Sequence, residues 1–214
     1  MGPATITTPF LLTTLLAVVG LETAAALTGA YLPLSRLWLI AVVRMAQTLA
    51  VLALAVIHTG GLSVLGLKGR WLKPGIKTGL AWSAGFALLA GLLFLAALLA
   101  GHNLLPWVRA PLPDAASQRV LYFFVGGVVA PVAEEIFFRG VIFGYCRRWG
   151  LFAAVVISTT LFAAIHAGAA LPVTQIVGGV VFALAYHKGR SLMAPIVIHM
   201  LGNLAIFTLS LLFS

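Results

Sequence analysis

About twenty predominantly apolar residues in a row suffice to carry a helix across a bilayer, and this chain supplies such runs one after another. They fall near 9–30, 37–57, 76–100, 119–144, 152–167, 171–187 and 192–213. No water-soluble architecture tolerates that pattern. Of the 214 residues 62% are hydrophobic and only 8% are charged, against roughly 25% charged in soluble chains. The expected fold class is all-α, a polytopic transmembrane helix bundle of about seven spans around a buried polar site. The fifth and sixth runs are short and separated by only "HAGAAL", so a tight helical hairpin or a partly re-entrant pair is expected there.

The connecting segments carry the topology signal. Lys68, Arg70, Lys73, Lys77, Arg147, Arg148, Lys188 and Arg190 fall on one face of a seven-span bundle, and Arg36, Arg109 and Arg119 on the other. Positively charged loops favour the cytoplasm, so the N-terminus is expected inside. The same reasoning disposes of nucleic acid as a partner. The formal charge is +9, but the basic residues sit in short stretches between apolar runs, where they suit anionic headgroups. No Lys or Arg precedes Arg36, so the first run is read as a retained span rather than a cleaved signal peptide. "LLPWVRAPLPDAASQ" holds Pro106, Pro111 and Pro113 and is expected to run irregularly along the outer interface. Cys146 is the only cysteine, which excludes an internal disulfide and a cysteine-based metal cluster. Gly140 and Gly144, spaced by four, are expected to let helices approach closely. The chain divides into residues 1–118, N-terminal membrane helices and an outer loop, and 119–214, the membrane core that holds the candidate catalytic residues.

The acidic residues are Glu22, Asp114, Glu134 and Glu135. An ionised side chain deep in a span costs about 2.5–3.5 kcal/mol on insertion scales, so each one needs a partner or a function. Glu22 and Arg44, in the first two spans, are expected to pair across the bundle. Glu134 and Glu135 are consecutive, so on a helix they point about 100° apart. Glu135 and Arg139 stand at i and i+4 with the acid first, the favourable order for a helical ion pair. Glu134 has Phe138 at that spacing and no local cation. His166 ends the fifth run one turn after Phe162, and His199 lies one turn before Asn203 on the last. Measured from the basic face, Glu134 and His199 lie about 12–15 Å deep and His166 somewhat deeper. One His or one Asn in a span is commonly a helix–helix hydrogen-bonder, but an unpaired acid, two imidazoles and a carboxamide within the last four spans suit a buried active site.

Such a set can hydrolyse a peptide bond without serine or cysteine. Glu134 with His166 can take a proton from water, and His199 with Asn203 can donate to the oxyanion that follows attack on a carbonyl. Zinc is the competing arrangement, with Glu134, His166 and His199 as ligands and water in the fourth place. Spacing does not separate the two. Two other classes fit the residues: a non-proteolytic membrane scaffold or immunity protein that keeps the polar cluster for structure, and a proton-coupled transporter with Glu134 as carrier.

Glu134-Glu135-x-x-x-Arg139, Phe162-x-x-x-His166 and His199-x-x-x-Asn203, in this order, resemble the three motifs of the CPBP family of intramembrane proteases. That family includes the type II CAAX prenyl endopeptidases and the Abi proteins. The resemblance covers roughly 119–213. It implies intramembrane peptide-bond hydrolysis, with Glu134 and His166 activating water, His199 and Asn203 stabilising the oxyanion, and Glu135 and Arg139 supporting the site. It further implies a membrane-associated or lipidated polypeptide substrate of CAAX, bacteriocin or C-terminal sorting-signal type, and a prokaryotic inner membrane. A glutamate-type, metal-independent mechanism is favoured over zinc.

Overall fold

The computed structural model describes residues 5–31, 35–168 and 171–213, and every regular element among them is helical. Seven long helices follow one another: α1 (Thr8–Tyr31), α2 (Arg36–Thr59), α3 (Gly69–Leu99), α4 (Ala116–Trp149), α5 (Leu151–Ile165), α6 (Val173–Gly189) and α7 (Met193–Leu212). They coincide with the seven apolar runs. Helix is the only open-ended answer for an apolar segment in hydrocarbon, because it satisfies each backbone group within the segment. Between α3 and α4 only the short turn Leu105–Val108 is helical, as the prolines dictate.

Five helices, α1 to α4 and α7, are long and apolar enough to cross a membrane. α5 has 15 residues and α6 has 17, about 22 and 25 Å at 1.5 Å per residue. Both fall short of the roughly 30 Å hydrocarbon core. A helix of that length that starts at the basic face beside Arg147 and Arg148 brings His166, the residue that closes α5, short of the far edge of the hydrocarbon. The link between them includes Ala169 and Ala170, which lie outside the described residues, so the hairpin expected at "HAGAAL" is only partly described.

α4 is the axis of the bundle, packed against α2, α5 and α7. Leu88, Leu92, Leu95 and Leu99 of α3 and Leu16 and Leu27 of α1 are exposed, which is anomalous in water and costs nothing against lipid tails. Close helix contact is made through small residues. A Cβ at Gly79 of α3 would lie 2.8 Å from the Ala194 carbonyl of α7, and one at Gly179 of α6 would lie 2.7 Å from Cγ2 of Thr159 in α5. Gly140 and Gly144 serve a different purpose from the helix-to-helix packing expected of them. Their bare faces receive Leu65 of the 3₁₀ turn Leu62–Leu65 and Ile6 ahead of α1. That 3₁₀ turn ends on Gly66, at φ 76°, whose carbonyl accepts the Leu192 amide at the α6–α7 turn.

The pairing of Glu22 with Arg44 is present, and Gln47 completes it. Gln47 donates to Glu22 Oε1 at 2.9 Å while its own Oε1 accepts from Arg44 at 2.7 Å. Cys146 is a free, buried thiol beneath the basic face.

Candidate active site

α4 is not a uniform α-helix. Two widened, π-helical stretches, Val125–Val129 and Ile136–Phe143, flank the α-helical turn Ala130–Glu135 that carries both glutamates. The first frees a backbone carbonyl. In a π turn the Gly126 carbonyl would take its proton from the residue five on, Pro131, which has none. Asn203 of α7 supplies that proton, donating from Nδ2 to the Gly126 carbonyl at 2.8 Å. Widened turns of this kind are frequent at functional sites.

Glu135 and Arg139 are both fully buried and joined at 3.0 Å. Arg139 also donates to the Gly179 carbonyl at 3.3 Å, and its guanidinium lies 4.6 Å from the ring centroid of Phe162 and 5.1 Å from that of Phe182. Two aromatic faces and a carboxylate thus replace the water a guanidinium would otherwise need. The same Glu135 oxygen accepts from Nδ1 of His199 at 2.8 Å. Phe182 stacks on the His199 ring at 4.6 Å and 20°, so the imidazole is held in plane and in orientation.

Glu134 is one step round the helix. Its Oε2 lies 3.8 Å from Nε2 of His199 and its Oε1 3.9 Å from Nε2 of His166. These separations are too long for direct hydrogen bonds and suit a single small guest between carboxylate and imidazole. The tautomers follow from the outer partners. Nδ1 of His166 faces the Phe162 carbonyl at 2.8 Å, and a carbonyl only accepts, so that nitrogen carries the proton. Nδ1 of His199 likewise donates to the Glu135 carboxylate. In the neutral rings both Nε2 lone pairs then point at Glu134.

The site is rich in acceptors and poor in donors. Two carboxylates face one guanidinium, Oε2 of Glu135 is buried with no hydrogen-bond partner among the described residues, and the two Nε2 atoms accept. A water molecule fits that need. The donor set is also one a divalent cation uses, but among the described residues no three His, Cys, Asp or Glu side chains converge at metal-binding spacing. Zinc held by Glu134, His166 and His199 would require those side chains to close further.

Sequence spacing placed His199 and Asn203 on one face. The structure divides them, His199 to Glu135 and Asn203 to Gly126, with the second Nδ2 proton of Asn203 uncommitted to that bond. Phe182 and the carbonyls of Gly126 and Gly179 were not legible as parts of the site. Pro131 inside an apolar run was the available clue to the Gly126 carbonyl.

Helices this apolar around a charged, buried centre define an integral membrane protein with an intramembrane carboxylate–imidazole site. Residues 116–205, from the start of α4 into α7, match the family model described as Rce1-like, type II CAAX prenyl endopeptidase. Among curated proteins it is 31% identical over 91 residues to YdiL of Bacillus subtilis (strain 168), named as a candidate membrane peptidase, covering 42% of this chain and 37% of that one. It is 33% identical over 90 residues to the membrane-embedded CAAX protease MroQ of Staphylococcus aureus (strain USA300), covering 39% and 36%. The match thus spans little over a third of the length of these relatives. No solved structure matches the chain.

Proposed function

We propose that the protein is an intramembrane endopeptidase that hydrolyses a peptide bond of a membrane-associated or lipidated polypeptide. The observation that carries this reading is the seat of Glu134, an acid without its own cation, between two imidazole Nε2 atoms whose Nδ1 protons are already tied. A water lodged there meets a general base on one side and a proton acceptor on the other. Glu134, aided by His166, takes the water proton as oxygen attacks the scissile carbonyl carbon. The proton passes to the leaving amine as the tetrahedral intermediate collapses. The oxyanion takes hydrogen bonds from the remaining Nδ2 proton of Asn203 and from His199 in its imidazolium form, which carries a proton on Nε2 besides the one that Nδ1 gives to Glu135. Glu135 holds His199 in that orientation, and Arg139 holds Glu135.

The family match and the names of the two relatives support the peptidase class, and CAAX-type, bacteriocin-type and sorting-signal polypeptides are the substrates to assay first. A prokaryotic inner membrane, with the N-terminus and the basic face toward the cytoplasm, is part of the same reading. The test is cleavage of such a polypeptide by the purified chain in vesicles. Glu134→Ala and His166→Ala are each expected to abolish cleavage with the helical signal unchanged; full activity in either rejects the mechanism. Cleavage that survives exhaustive chelation, in protein with no metal by elemental analysis, rejects the zinc alternative.

A further inference from the structure

The membrane face from which α3 starts and at which α6 ends carries Lys68, Arg70, Lys73, Lys77, Lys188 and Arg190, all exposed. It carries no acid. Of the four acidic residues Glu22 lies in α1, Asp114 in the connection on the opposite face, and Glu134 and Glu135 inside α4. None of the six cations takes part in the ion pairs found among the described residues.

An apolar groove of about 450 Å³ lies between α3 and α6, lined by Ala81, Trp82, Gly85, Phe86, Leu89 and Val181. Lys77 of α3 and Lys188 of α6 lie toward the basic end of the same two helices. On α3, Lys77 stands one turn before Ala81 and Ala81 one turn before Gly85, a ridge that winds slowly round the helix; on α6, Val181 and Lys188 are seven apart and share a face. Nζ of Lys188 lies 5.6 Å from the centroid of the Trp82 ring, at the mouth of the groove. A Cβ at Gly189 would lie 3.6 Å from Thr78, so α3 and α6 approach closely beside Lys77 and Lys188. A Cβ at Gly85 would meet nothing within 4 Å. The groove floor is open there. From Lys77 to Leu89 the helix rises about 18 Å, close to the depth of one leaflet.

We propose that this groove binds one anionic phospholipid of the surrounding leaflet. Its phosphate lies between Lys77 and Lys188, and one acyl chain lies along Ala81, Gly85 and Leu89. Basic pockets between membrane helices select anionic headgroups, and the missing carboxylates on this face leave the lipid as the counter-charge. The wall of the groove backs onto the site, since Trp82 and Val181 pack against the cluster of Phe138, Phe162 and Phe182 and Phe182 stacks on His199. A lipid here buttresses the ring that holds His199.

The experiment uses the delipidated full chain in detergent, titrated with phosphatidylglycerol or with phosphatidylcholine, read by thermal unfolding and by native mass spectrometry. The expected result is a rise in the unfolding midpoint with phosphatidylglycerol alone and retention of one such lipid per chain. The double variant Lys77→Gln/Lys188→Gln should weaken that retention roughly thirtyfold. Gly85→Leu, which enters open space, should abolish retention while its midpoint with phosphatidylcholine equals that of the unaltered chain. Equal stabilisation by the two lipids overturns the proposal, as does undiminished phosphatidylglycerol retention in Gly85→Leu.

Discussion

Two acid–arginine clusters lie within the apolar bundle, and they are built to opposite ends. Between α1 and α2, Glu22, Arg44 and Gln47 form a closed ring of hydrogen bonds with one negative and one positive charge. The side chains of Glu22 and Arg44 keep 49% and 23% of their exposure, on the outside of the protein. Around α4 the pair Glu135–Arg139 has none, and a second carboxylate, Glu134, stands beside it without a cation. The peripheral cluster cancels its charge and satisfies its donors. The central one keeps an acid in excess and aims two imidazoles at it. An ion pair in a membrane helix is therefore no mark of chemistry by itself; the surplus carboxylate is what sets the central cluster apart.

The largest expected contrast is in rate. Glu134→Gln, which keeps the shape and removes the base, should lower cleavage by about 10²–10⁴, whereas Glu22→Gln should leave it unchanged under the same assay. A scaffold that keeps its polar residues for structure predicts no loss in either.

Stability separates the clusters next. Arg139→Met strands Glu135 in a dry core and should cost about 3–5 kcal/mol, measured by reversible unfolding in mixed micelles. Arg44→Met leaves Glu22 with Gln47 and a path to the surface, and should cost only about 0.6–1.7 kcal/mol, as single polar contacts between membrane helices do. Equal costs would show that burial is not what distinguishes the pairs.

Packing around the central cluster gives a third contrast. Gly179→Val forces a side chain against Thr159 and shifts the carbonyl that holds Arg139, at an overpacking cost of about 1–3 kcal/mol. Gly20→Val in α1, where a Cβ meets nothing within 4 Å, should cost far less. A modest loss of stability is expected for Asn203→Leu, about 1 kcal/mol for the bond to Gly126. Cleavage that falls no further than this loss of folded protein would remove Asn203 from the oxyanion site and leave it a brace for the widened turn.

How much was legible follows from the range of each interaction. Glu135 with Arg139 was readable because one helical turn sets their distance. Glu22 with Arg44 was readable because adjacent antiparallel spans bring their mid-points together and neither charge has another partner. His199 with Glu135 was not, since 64 positions separate them and Asn203 offered a nearer match on the same helix. The seven apolar runs were enough to specify helices, and their charge pattern enough to single out Glu134, because the bilayer penalises every unpaired backbone group and every unpaired charge locally. Which imidazole each carboxylate meets was decided by the bundle. The widened turns of α4, the short reach of α5 and the Phe182 ring set the angles and depths at which α5, α6 and α7 deliver their side chains, and those depend on packing between helices that no single span contains.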